Sequence, residues 1–188
     1  MKLLCIIIPV FLFGSGGYEN GTSAGKGKFR LDITLNPFNL ISYGQSYAVL
    51  GYGLTDKVDI HGYFSDHAGN YKTWYAGIFF QFYNSKKLDL ATAVGFRQRS
   101  SQNWTQIFTP QLIYTLHLTK KVNIGGSFVN VIHQNTYNLA IDAGLFYKFD
   151  YKSKQIENIS IGFSAFRPAS MNSENNFLPT YSININFK

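Results

Sequence analysis

The chain has 188 residues, a length that suits one domain. Charged residues make up 14% and aromatics 17%, against about 25% charged residues in ordinary soluble domains. A mean hydropathy of −0.08 excludes a helical membrane bundle, and the 13 Tyr and 17 Phe argue against disorder. The net charge of +7 is spread over separate turns (Lys86-Lys87, Lys120-Lys121, Lys152 and Lys154), which makes no phosphate-tracking stripe, so no nucleic-acid partner is expected.

The N-terminus has the order of a secretory signal. Lys2 supplies the positive region, and Leu3 to Phe13 form an apolar run of eleven residues, too short to span a bilayer as a helix. Small residues follow. Cleavage after Gly17, with Ser15 at −3, gives a signal peptide over 1–17 and one domain over 18–188; cleavage after Ala24, with Thr22 at −3, is the alternative. Cys5, the chain's one cysteine, lies near the start of the apolar run, where a lipid-attachment box does not place it.

Beyond the signal, about ten segments alternate between apolar and polar residues, the pattern of strands with two different faces. The first, Lys28 to Asn36, sets Phe29, Leu31, Ile33 and Leu35 against Arg30, Asp32 and Thr34. The second runs near Gln45 to Leu54 and ends in Thr55-Asp56-Lys57. The third, Val58 to Ser65, opposes Val58, Ile60 and Phe64 to Asp59, His61 and Tyr63. The fourth, Tyr71 to Tyr83, places Trp74, Ala76, Ile78, Phe80 and Phe82 opposite Tyr75, Phe79, Gln81 and Tyr83. The fifth, Leu88 to Arg99, puts Asp89, Arg97 and Arg99 on its polar face. The sixth, Trp104 to Leu118, loses phase near Pro110, where the missing amide donor predicts a bulge. The seventh is Val122 to Ile132, the eighth Tyr137 to Phe149, and the ninth Asn158 to Arg167.

The last segment is Tyr181-Ser-Ile-Asn-Ile-Asn-Phe187-Lys188. Tyr181, Ile183, Ile185 and Phe187 share one face, and Ser182, Asn184, Asn186 and Lys188 the other. This resembles the C-terminal strand of small bacterial outer-membrane β-barrel proteins of the porin-like superfamily. Gly53-Leu-Thr-Asp-Lys57 is similar to the periplasmic hairpins of such proteins. The resemblance implies that Tyr181, Ile183, Ile185 and Phe187 act as an insertion signal read by the barrel-assembly machinery. Here the terminal aromatic is penultimate.

The expected fold is all-β: a closed, antiparallel, up-and-down transmembrane barrel of about ten strands, with eight or twelve as alternatives. Tight, lysine-bearing turns alternate with longer loops rich in Asn, Ser, Gly and Pro, of which Pro168 to Pro179 is the longest. Such an arrangement fits an outer-membrane protein with both mature termini in the periplasm. An apolar exterior of this extent suits lipid rather than water.

Ten residues are expected to line the lumen as a polar network: Arg30, Asp32, Asp59, His61, Asp89, Arg97, Arg99, His117, Asp142 and Lys148. Opposite charges placed together offset the cost of burying each alone. For catalysis, His61, Ser65 and His67 are the candidates. His61 and Ser65 share a strand face but lie about 13 Å apart, and the His-x-Ser spacing of outer-membrane phospholipases and lipid A deacylases is absent. No metal site is expected from four scattered histidines, and no cofactor. The reading is a non-enzymatic barrel. It serves either as a narrow pore for a small solute or as a plugged structural barrel that binds a surface ligand, and outer-membrane lipids surround it. The alternative is a lipid-modifying hydrolase or acyltransferase.

Overall fold

A computed structural model describes residues 20–35, 47–67, 71–100, 105–134, 136–151, 153–167 and 177–188. The expected signal peptide, Trp104 and most of the Pro168 to Pro179 loop lie outside the described residues.

Ten strands form a closed barrel: β1 (Phe29–Leu35), β2 (Tyr47–Gly53), β3 (Val58–His67), β4 (Tyr71–Asn84), β5 (Leu88–Arg99), β6 (Thr105–His117), β7 (Val122–His133), β8 (Thr136–Phe149), β9 (Ile156–Arg167) and β10 (Leu178–Phe187). Each pairs antiparallel with its chain neighbours, and β1 closes on β10 through the register Arg30↔Asn186 to Leu35↔Tyr181. Closure leaves no open edge, so every strand has two partners for its backbone groups. The barrel has a turn end, where the tight lysine-bearing connections lie, and a loop end opposite.

Alternation sorts the two faces. Leu50, Ile60, Phe64, Ile78, Phe80, Val94, Phe96, Leu112, Phe128, Leu139, Leu145, Ile161 and Ile183 are exposed around the whole circumference. A monomer in water does not carry such a belt. Tyr83, Tyr137, Tyr147 and Tyr151 are exposed toward its two rims, as in an interfacial girdle.

Among the described residues four strand pairings shift register, two of them, β5 with β6 and β6 with β7, at one shared irregularity in β6, so three places interrupt the ladders. One lies between Phe108 and Gln111, on either side of the proline expected to break phase; the Thr109-Pro110 bond is cis. Another, at Gln81/Tyr83, turns Tyr83 outward, where it is 48% exposed, although strict alternation put it in the lumen. The third separates Asn186 from Phe187, which faces Ile156. Strand β10 begins at Leu178 rather than Tyr181, because Pro179 is accommodated opposite Ala165.

Candidate functional site in the barrel lumen

The inward face is filled differently in its two halves. Toward the loop end the filling is apolar. Tyr47, Val49, Tyr63, Tyr75, Ala93, Phe108, Val129 and Val131 are buried together, with Phe79 and Ile113 wholly buried beneath them. Tyr63 and Tyr75 stack at 5.2 Å with planes 9° apart, and Tyr47 and Phe108 flank them at 5.4 Å from Tyr63 and Tyr75 respectively. The Tyr75 ring lies flat over Gly77 and Gly95, where any Cβ would run into it. Its hydroxyl is met by His61 Nε2 at 3.2 Å and accepts from Gln111 Nε2 at 3.0 Å.

Toward the turn end the filling is polar, and part of it is main chain. Residues 20–27 enter the mouth ahead of β1. Gly25 and Gly27 have φ of +86° and +75°, values that only glycine adopts readily, and they let the segment reverse into the first strand. Lys28 N donates to Gly25 O at 3.1 Å, and Gly27 N to Gly53 O at 2.8 Å, fixing that reversal against β2.

Beyond the reversal, the segment lies on acceptors from four adjacent strands. Ala24 N donates to Asp59 Oδ2 at 2.8 Å and Ser23 Oγ to Asp59 Oδ1 at 2.7 Å. Ser23 N donates to Gln81 Oε1 at 3.1 Å. Thr22 Oγ1 donates to Asp89 Oδ2 at 2.6 Å, and Gly21 N to Thr115 Oγ1 at 2.9 Å. Thr115 in turn donates to Asn20 Oδ1 at 2.7 Å. Asp59 and Asp89 are at most 1% exposed, so these donors supply charge-assisted bonds that solvent would otherwise provide.

Opposite the segment, against β7–β10 and β1, a chamber of about 210 Å³ remains. Asn20, Thr22 and Ser23 form one of its walls. Arg30, His117, Asn123, Lys148, Glu157, Asn158, Ser160 and Asn186 form the rest. Arg30 Nε donates to Asn186 Oδ1 at 2.9 Å, and Asn186 Nδ2 to Asn158 Oδ1 at 2.8 Å. Glu157 is paired with Lys28 at 2.7 Å. His117 bridges Asn123 Oδ1 and Asp89 Oδ2, each at 3.0 Å. Among the residues that line it, two cations, Arg30 and Lys148, stand against one acid, Glu157, which Lys28 pairs, so the wall has a positive balance. Amides and hydroxyls able to donate and accept make up most of the remaining wall.

The ten residues expected to line the lumen therefore fall into groups rather than one network. Asp59, Asp89 and His117 meet the N-terminal segment or its seat, and Arg30 and Lys148 line the chamber. Asp32 is buried two residues from Arg30 along β1. Asp142 accepts from Ser127 Oγ at 2.6 Å on the opposite wall. At the loop end Arg97 binds Gln106 and stacks 5.0 Å above the Phe108 ring, while Arg99 is half-buried opposite Thr73. Of the catalytic candidates, His61 lies in the lumen against Tyr75; the side chains of Ser65 and His67 lie outside the described residues. Among the described residues no three His, Cys, Asp or Glu side chains converge as a metal cage.

Sequence reading missed the N-terminal segment. The available signal was the run of small donors in Asn20-Gly-Thr-Ser-Ala24, just before a barrel whose lumen carries buried carboxylates.

No family model matches the chain, and no curated protein matches it. Among solved structures it is similar to a KdgM porin, at a TM-score of 0.55 and 8% identity over 86% of this chain and 98% of the other. It is similarly related to a KdgM porin in complex with disordered oligogalacturonate, at a TM-score of 0.54 and 8% identity over 86% of this chain and 97% of that one. At this identity the likeness establishes a shared fold alone, that of a closed antiparallel β-barrel.

Proposed function

We propose that this protein is a narrow, non-enzymatic outer-membrane conduit for small polar solutes, constricted in the state described. It is exported by its N-terminal signal and inserted through Tyr181, Ile183, Ile185 and Phe187. The turn end and both mature termini face the periplasm. The observation that carries the reading is the chamber. A barrel serving only as a strut gains nothing from about 210 Å³ of polar space walled by Arg30, Lys148 and donor–acceptor amides, whereas a solute path requires it. The positive balance of this wall suits an acidic or hydroxyl-rich solute. The neighbouring porin carrying oligogalacturonate shows that one barrel of this fold takes an acidic sugar chain.

A second reading, a plugged structural or surface-binding barrel, is favoured by the packed layer of Tyr63, Tyr75, Phe79 and Phe108. Single-channel recording from the refolded chain in a planar bilayer separates the two, with heat-modifiable gel migration as the folding control. A conduit gives small, reproducible steps whose anion preference falls when Lys148→Glu is introduced. Silence from a folded barrel, persisting in Tyr75→Ala, selects the plugged reading.

A further inference from the structure

Main chain inside a barrel is costly unless its amides find acceptors. Here they do, and the wall is shaped to receive them. Consecutive strands β3, β4, β5 and β6 each contribute one acceptor side chain, Asp59, Gln81, Asp89 and Thr115, and each is engaged by residues 21–24. The fit is steric as well as polar. A Cβ at Gly21 would stand 2.9 Å from Asp89 O and 3.0 Å from Ile113 O. A Cβ at Gly53 would strike the Gly25 carbonyl. Neither position tolerates a side chain while the segment is seated.

We infer that residues 20–25 are a resident plug, and that the shelf Asp59–Gln81–Asp89–Thr115 is its seat and a site for competing hydroxyl- or amine-bearing donors. The plug covers the β3–β6 side of the mouth and leaves the chamber on the other side. Every bond that holds it is a hydrogen bond from a neutral donor, and none of the seat's partners is apolar. It is therefore displaceable by a polyol or an ammonium group, which present the same donors to the same oxygens. Plug closure of a conducting lumen rests on the conduit reading; seating does not.

Seating is read without reference to conduction. Gln81→Cys, in a chain whose Cys5 is replaced by serine, places a thiol beneath Ser23. In the refolded barrel it should react with a maleimide at least roughly tenfold more slowly than in the same chain lacking 20–25 or carrying Gly53→Val. Hydrogen exchange provides an unlabelled check. The amides of Gly21, Ser23, Ala24 and Gly27 should be protected in the parent and exchange freely in Gly53→Val, with barrel amides unchanged. Equal labelling in all three chains, or fast exchange of these amides in the parent, overturns the plug. An exported chain whose intact mass begins at Gly25 overturns it as well, since the plug requires cleavage before Asn20. In a bilayer, deletion of 20–25 should raise conductance roughly twofold, in proportion to the freed cross-section. A parent that conducts and a deletion that changes nothing refute closure alone. Silence from both chains, persisting when Tyr75→Ala is added to each and with the segment protected in the parent, refutes the conduit reading and, with it, any gating by the plug.

Discussion

The two halves of this lumen solve the same filling problem with different materials. At the loop end aromatic rings interlock over glycines: Tyr75 occupies the space that side chains at Gly77 and Gly95 would need. At the turn end a strip of main chain lies on carboxylates, and space is left beside it. Rings packed to crystal-like density yield only by leaving a cavity. A hydrogen-bonded strip leaves as a unit, and water can replace its donors. The contrast teaches which half is permanent structure and which is adjustable.

Several substitutions sharpen that contrast, beginning with the largest effect. Tyr75→Ala should destabilise the refolded barrel by about 3–5 kcal/mol, measured by denaturant unfolding from vesicles, because the stacked layer cannot collapse around the gap. An unfolding midpoint equal to the parent's would mean that the rings are not a packed layer. Gly95→Ala comes next, at about 1–3 kcal/mol, since its methyl meets the Tyr75 ring and the overpacked layer must shift. Asp59→Ala should cost less than about 3 kcal/mol overall while abolishing exchange protection at Ala24, whose amide loses its acceptor, and sparing more of it at Ser23, whose amide still donates to Gln81. Gly53→Ala should cost below about 1 kcal/mol, since the segment it strikes can move away. If Gly53→Ala proves as costly as Gly95→Ala, the two halves are equally rigid.

The smallest effect is expected at the exposed Lys121–Asp150 pair on the turn-end rim. The Asp150 carboxylate, through its hydrogen bond and charge, holds the Lys121 ammonium above the usual lysine range. A raised lysine pKa contributes stability below the ordinary lysine value and loses it as pH rises through the raised one. Asp150→Asn should therefore lower stability only slightly at neutral pH, as for any exposed pair, and its difference from the parent should vanish in the strongly alkaline limb.

The barrel was legible in the sequence because period-two alternation is a local signal repeated ten times. The broken phase at Pro110 was legible for the same reason, since proline removes a ladder donor. Tyr83 was not, because the bulge beside it sits in an unbroken run, Phe79-Phe-Gln-Phe-Tyr83, in which no residue marks the extra position. The charged lumen positions could be read as inward-facing from alternation, but their partners could not. Gly21 finds Thr115 across 94 positions, and Ser23 finds Asp59 across 36. Short polar residues before a first strand read locally as loop, and only closure of the barrel brings the shelf beneath them.

The conduit reading meets its most direct test in the planar bilayer. The refolded, heat-modifiable parent should give small steady steps with anion preference, and those steps should enlarge in Tyr75→Ala, where the loop-half layer is thinned. A folded barrel that stays silent in both chains would contradict it and leave a plugged barrel whose recognition lies elsewhere.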